Sequence, residues 1–235
     1  MKKAILSVFA VPFILAPAAI LAQSGMKPTA ATYITDEEVK AVNALPGVDR
    51  TIRVVDIGPE NFAVGIIHRG ATGGAARGAA AGAAAAGAGR GAGAGAGAGG
   101  GAGAGRGAAA AEACGEASTA PTTGGAPGMI AHDQQTEGYL IVSGGGTLVT
   151  GGKIVNGRKS GPDNEVTTTL NGPSCSGTAV GADIVKKVVK TGDIIIIPAQ
   201  VPHGWTDIGD HVDYLSFRPS ARVLQAGYVN PALKK

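Results

Sequence analysis

The chain has 235 residues, with 20 Lys and Arg against 17 Asp and Glu, for a formal net charge of +3 at pH 7. Lys2 and Lys3 supply two of those units, so the remainder is nearly balanced and does not favour nucleic acid or an anionic surface as a partner. Aromatic residues make up 4% of the chain, too few for a base-stacking platform.

The N-terminus has the form of an export leader. Lys2 and Lys3 precede an uncharged run from Ala4 to Leu21, and Ala22 stands before the polar Gln23-Ser24-Gly25. The run is short for a membrane span, holds Pro12 and Pro17, and ends in small residues. Residues 1–22 are therefore expected to be removed, leaving a periplasmic or secreted protein with no membrane partner. Cys114 and Cys175 are the two cysteines. In an oxidising compartment they can close one disulfide or remain two thiols, and spacing alone does not choose.

Residues 23–49 form an N-terminal extension. Thr35-Asp36-Glu37-Glu38 has capping-box form, and Val39, Val42 and Leu45 follow at helical spacing before Pro46-Gly47 ends the run. A short helix is expected here, packed outside a sheet. From Arg50 the period becomes two. Thr51–Asp56 and Asn61–Arg69 read as an antiparallel strand pair joined at Gly58-Pro59.

Composition then changes. Residues 78–89, 91–105 and 107–111 are only Gly and Ala, interrupted by Arg90 and Arg106. Such a tract has no large side chains to bury, so residues 70–128 are expected to be a disordered, low-complexity insertion within one domain. Beyond it, Tyr139–Val142 and Thr147–Thr150 flank Gly144-Gly145-Gly146, a hairpin signal that Lys153–Val155 can extend. Glu165–Leu170 reads as a weak strand, and Asp183–Lys190, Asp193–Pro198 and His211–Phe217 as three more. Many short strands with little helix indicate an all-β sandwich or small barrel over 50–220, followed by a tail at 221–235.

Two segments carry candidate chemistry. One is His132-Asp133-Gln134-Gln135-Thr136-Glu137, running on to Gly144; the other is Gly192 to Pro198, then His203. Imidazole nitrogens and a carboxylate oxygen form a binding set for a transition metal if the strands point them inward. Glu137, facing inward among apolar neighbours, is costly unless it meets a cation or donors. His68, ending an apolar strand, fits a packed or surface residue better than a ligand. His211 lies beside Asp210 and Asp213 and reads as solvated. Tyr139 and Trp205 suit either a barrel mouth or core. No Ser/His/Asp arrangement, phosphate loop or acid/base pair stands out, and no catalytic residue is assigned.

The two segments resemble the paired motifs of the cupin superfamily. His132, Glu137 and Gly144 match a His, four residues, a Glu, six residues and a Gly; Gly192, Pro198 and His203 match the second motif. The resemblance spans about residues 50–220 once the insertion is set aside. It implies a cupin-type jelly-roll barrel holding one divalent metal (Fe, Mn or Zn) through His132, Glu137 and His203. Many cupins use a third histidine, but that position is Ile130 here; Gln200 lies where the second motif usually has Gly after its Pro, and Asp207 stands where Asn is common. The set can act as a two-histidine, one-carboxylate triad, take His68 or Gln134 as a further ligand, or have given up its metal. The resemblance implies metal and small-molecule binding, with oxygenase or isomerase chemistry as one outcome and a homodimer as one assembly. The alternatives are a non-catalytic, metal-free barrel for a small ligand and a matrix protein whose active part is the Gly/Ala tract.

Overall fold

The computed structural model describes residues 27–72 and 111–234. The leader expected over 1–22 and most of the Gly/Ala tract lie outside those residues. Among them, one helix, α1 (Asp36–Asn43), precedes eleven strands. The helix begins as its sequence dictates: Thr35 Oγ1 accepts from the Glu38 amide at 3.3 Å, and the Glu38 carboxylate accepts from the Thr35 amide at 3.2 Å. Its apolar face packs Val42 on Ile52 and Ile66, with Val39 and Leu45 at the margin. Each fully buried aliphatic side chain of this kind contributes about 1.5–3 kcal/mol. No helix among the described residues is long and apolar enough to cross a membrane.

The strands are β1 (Asp49–Asp56), β2 (Asn61–Gly70), β3 (Ala113–Cys114), β4 (Ala126–His132), β5 (Glu137–Thr150), β6 (Lys153–Lys159), β7 (Ser174–Val180), β8 (Val185–Lys190), β9 (Ile194–Ile197), β10 (His203–Thr206) and β11 (His211–Ser220). All ladders between them are antiparallel. One sheet runs β1-β2-β11-β5-β9, using the first part of β5. The other runs β3-β6-β7-β4-β10-β5-β8, using its second part. The main core lies between them, with Ile67, Tyr139, Ile141, Val212 and Tyr214 of the first sheet meeting Leu148 and Val189 of the second. This is the double-layered, all-β jelly roll with a short N-terminal helix that the sequence predicts.

β5 corrects the hairpin expected at Gly144-Gly145-Gly146. The chain bends there without reversing, which carries one continuous strand from one sheet into the other. Gly144 has φ +67°, and a Cβ on it would lie 2.0 Å from the His211 carbonyl oxygen. Only glycine meets both demands.

The strand expected at Glu165–Leu170 is instead a π-helical turn, Val166–Leu170. Its β-branched residues favour a strand, but tertiary bonds override that preference. Thr51 Oγ1 donates to the Thr169 carbonyl at 2.5 Å, and Arg218 Nη1 to the Leu170 carbonyl at 3.1 Å.

Two ends of the predicted map also differ. The expected linker over 70–128 already contains β3 and the start of β4. The tail after residue 220 docks on β1: the Val54 amide donates to the Tyr228 carbonyl at 3.0 Å and the Asn230 amide to the Ile52 carbonyl at 2.9 Å. Cys114 and Cys175 form a disulfide with Cα atoms 5.9 Å apart, tying β3 to β7. The chain-entropy model gives a closure of 61 residues a stabilisation of roughly 4 kcal/mol.

Candidate metal centre

His132 ends β4, Glu137 opens β5 and His203 opens β10. The short β10 inserts between β4 and the second part of β5, with His203 registered against Ile130 and Thr150. The turn before it is pinned to the first motif, because the Gln200 amide donates to the His132 carbonyl at 2.7 Å. Gln200 holds φ +69° there, which explains why glycine suits that position. These contacts bring the three side chains together in the barrel interior, all at or below 4% exposure.

Glu137 Oε2 lies 3.3 Å from His132 Nε2 and 3.1 Å from His203 Nε2, and the three candidate ligand atoms fall within 4.8 Å of one another. Zinc–nitrogen and zinc–oxygen bonds of about 2.0–2.2 Å separate neighbouring ligand atoms by roughly 3–3.5 Å, so the two carboxylate–imidazole spacings fit a shared ion.

The outer nitrogens fix both rings. The Ser174 hydroxyl donates to the Gly172 carbonyl at 2.9 Å, so its oxygen accepts from His132 Nδ1–H at 2.8 Å. His203 Nδ1–H donates to the Val201 carbonyl at 3.0 Å. Both Nε2 atoms therefore face inward, an arrangement typical of metal-ligating histidines. Asn171 Nδ2 donates to His132 Nε2 at 2.8 Å, which makes that nitrogen a lone-pair acceptor. Burial holds the His132 imidazole below its ordinary pKa, against the pull of Glu137.

Glu137 is held from its other oxygen. Oε1 accepts from Arg218 Nε at 2.8 Å and Ser216 Oγ at 3.2 Å, while Oε2 accepts from the Tyr139 hydroxyl at 2.5 Å. Burial alone would raise the Glu137 carboxyl; His132 and the Arg218 guanidinium outweigh it and hold the group well below the usual carboxylate range. Burial and the neighbouring carboxylate push the Tyr139 phenol well up, so it stays a donor. Arg218 is 1% exposed and also pairs with Asp49 at 2.5 Å.

The other predicted residues are elsewhere. His68 is half exposed and pairs with Asp213 at 2.6 Å, and Gln134 is exposed; neither is in the cluster. Ile130 shares a strand face with His132 by alternation, so the first-motif position is present but carries no donor. Trp205 and Tyr214 stack at 5.4 Å and Tyr214 meets Tyr139 at 4.4 Å, forming an aromatic wall beside the cluster.

Asn171, Ser174, Ser216 and Arg218 were not among the candidate residues. Alternation along β11 was the available signal for the last two, because Arg218 and Ser216 share the inward face with Tyr214 and Val212. Nothing local pointed to Asn171, which follows the unpredicted π-turn. Ser143, His211 and Asp210 do form a hydrogen-bonded chain, at 2.5 and 2.6 Å, on the outer side of the barrel. Asp210 is 93% exposed there, and the chain fastens the β5 bend.

No family model and no curated protein matches the chain. Among solved structures, it aligns with a cupin protein from Bacteroides fragilis at 14% identity and TM-score 0.28, covering 68% of this chain and 67% of that one. A mannose-6-phosphate isomerase homologue from Ralstonia eutropha aligns at 12% identity and TM-score 0.29, over 77% and 94% of the two chains. An oxalate oxidase in complex with glycolate aligns at 11% identity and TM-score 0.29, over 76% of this chain and about half, 54%, of that one. Its own topology is an all-β jelly roll of antiparallel ladders in two layers, in which His132 at the end of β4, Glu137 at the start of β5 and His203 at the start of β10 converge in the interior.

Proposed function

We propose that this protein is an exported cupin-type barrel that holds one divalent metal, iron, manganese or zinc, through His132, Glu137 and His203 and acts on a small molecule. The reaction classes that fit are metal-dependent oxygenation and isomerisation. One observation carries the reading: His132 Nε2, His203 Nε2 and Glu137 Oε2 converge in the buried interior, with the carboxylate oxygen 3.3 and 3.1 Å from the two nitrogens. Two imidazole nitrogens and a carboxylate oxygen so placed are a donor set that one divalent cation can join.

The surrounding residues have definable tasks. Ser174 and the Val201 carbonyl aim the imidazoles, while Arg218 and Ser216 hold Glu137 Oε1 and leave Oε2 facing inward. Tyr139, Tyr214 and Trp205 offer an apolar wall for a small molecule, and the Tyr139 hydroxyl can hold a proton beside the cluster. A bound ion would supply Lewis acidity, or oxygen activation if redox-active. The leader-like N-terminus and the Cys114–Cys175 disulfide support an oxidising compartment outside the cytoplasm.

A second reading, a metal-free barrel for a small ligand, is favoured by Arg218, which neutralises Glu137 without an ion. Gln135, 1% exposed and with no partner for either amide atom among the described residues, could serve such a ligand. Elemental mass spectrometry of protein purified without an affinity metal separates the two. The metal reading expects near-stoichiometric metal in the parent and its loss in His132→Ala and His203→Ala. No metal in the parent, even after reconstitution with iron, manganese and zinc, would establish the second.

A further inference from the structure

The buried cluster offers three ligand atoms, and the position where the first motif would supply a fourth is Ile130. Asn171 reaches the cluster from another direction. It follows the π-helical turn in the β6–β7 connection, whose Leu170 carbonyl is anchored by Arg218, the residue that also holds Glu137. Asn171 is 8% exposed, with Nδ2 2.8 Å from His132 Nε2 and 3.5 Å from Glu137 Oε1. Its Oδ1 is buried and has no hydrogen-bond partner among the described residues.

A buried amide oxygen without a partner costs about 1–3 kcal/mol, and such an atom calls for an explanation. The amide end is nearly symmetric, so a half-turn about its last bond exchanges Oδ1 and Nδ2 with little change in shape. The 2.8 Å separation from His132 Nε2 is comparable to the 3.1 and 3.3 Å separations among the other candidate ligand atoms. An amide oxygen is an acceptable ligand for a divalent ion.

We infer that Asn171 is the fourth protein ligand of this centre, its Oδ1 taking the role left open by Ile130. This inference rests on the metal reading of the cluster. Without an ion, the His132 Nε2 lone pair attracts the amide N–H group. When that lone pair is committed to an ion, the N–H group loses its acceptor and Oδ1 turns inward. The amide thus has two settings, and metal binding selects the one that satisfies its orphaned oxygen.

The test is a cobalt(II) titration of the full-length protein, read by chelator competition and visible absorption, with Asn171→Ala and Asn171→Asp beside the parent. Ligation through oxygen predicts one cobalt per chain in the parent and affinity about 10–100-fold weaker in Asn171→Ala. Asn171→Asp, which keeps an oxygen and adds charge, is expected to bind as tightly as the parent or more tightly, with the cobalt bands of the parent.

An alanine loss under tenfold overturns the inference. So does an aspartate variant weaker than the parent, which would mark Asn171 as an N–H donor to His132. Asn171→Asp keeps the side-chain volume and decides the matter alone if the alanine variant does not fold. A parent that binds no cobalt overturns the metal reading itself, an outcome distinct from either of these.

Discussion

The chain has four histidines, two inside the barrel and two outside, and both pairs have carboxylates and a serine for neighbours. Inside, His132 and His203 lie 5.0 Å apart between centroids, and both direct Nε2 at the single Glu137. Outside, His68 and His211 stack at 6.1 Å, but each has its own carboxylate, Asp213 and Asp210 respectively. The inner serine, Ser174, fixes a ring by its outer nitrogen and leaves the other one directed at the cluster. The outer serine, Ser143, occupies His211 Nε2 itself. Residue types therefore do not distinguish the two sets. Burial and the account of which nitrogen is already used do.

The largest expected effect is at Glu137. Glu137→Ala leaves the buried Arg218 with Asp49 as its one remaining carboxylate partner among the described residues, and urea unfolding of metal-free protein should register a loss of about 3 kcal/mol or more. The partly exposed counterpart, Asp213→Ala, should cost under about 1 kcal/mol. Comparable losses at the two carboxylates would erase the distinction between the sites.

Replacing both Cys114 and Cys175 by Ser should lower stability by about 2–4 kcal/mol in the same assay. A bond between β3 and β7 supports the strand that carries Ser174, so the loss bears on the inner pair alone.

The two serines give a sharper contrast. Ser174→Ala removes the acceptor that aims His132 and should weaken zinc or cobalt binding about 10–100-fold. Ser143→Ala should leave that affinity unchanged.

Acid separates the sets in a further way. Burial lowers the pKa of His132 in the folded protein, so the unfolded chain binds the proton more readily. The stability this residue contributes is complete above the unfolded value of about 6.5 and declines as the pH falls below it. Urea midpoints of metal-free protein should fall from pH 7 to 5.5, and fall less steeply in His132→Gln. The smallest effects belong to His68→Ala and His211→Ala, each expected under about 1 kcal/mol and without change in metal content.

Much of this was legible in the residues because the information was local. The capping box set α1, period-two alternation set β1 and β2, and the His/Glu/Gly and Gly/Pro/His spacings marked the ends of β4, β5 and β10. What was misread depended on distant partners. The triple glycine at 144–146 signals a turn by composition, yet its geometry answers to His211 across the sheet. Val166–Leu170 is β-branched but is held as a turn by Thr51 and Arg218. The supports of the cluster, Ser174, Ser216, Arg218 and Asn171, are separated from its ligands by long stretches of chain, and no spacing rule connects them. The missing first-motif histidine could be read at Ile130; the residue standing near that gap could not.

The central claim is that His132 and His203 present Nε2 to a common ion while His68 and His211 do not. The direct test is long-range proton–nitrogen NMR of the four imidazoles in metal-free and zinc-loaded protein. The account predicts that His132 and His203 carry the proton on Nδ1 and that zinc shifts only their two Nε2 resonances. Zinc-induced shifts confined to His68 and His211, or no shift at any imidazole after one equivalent of zinc, would contradict it.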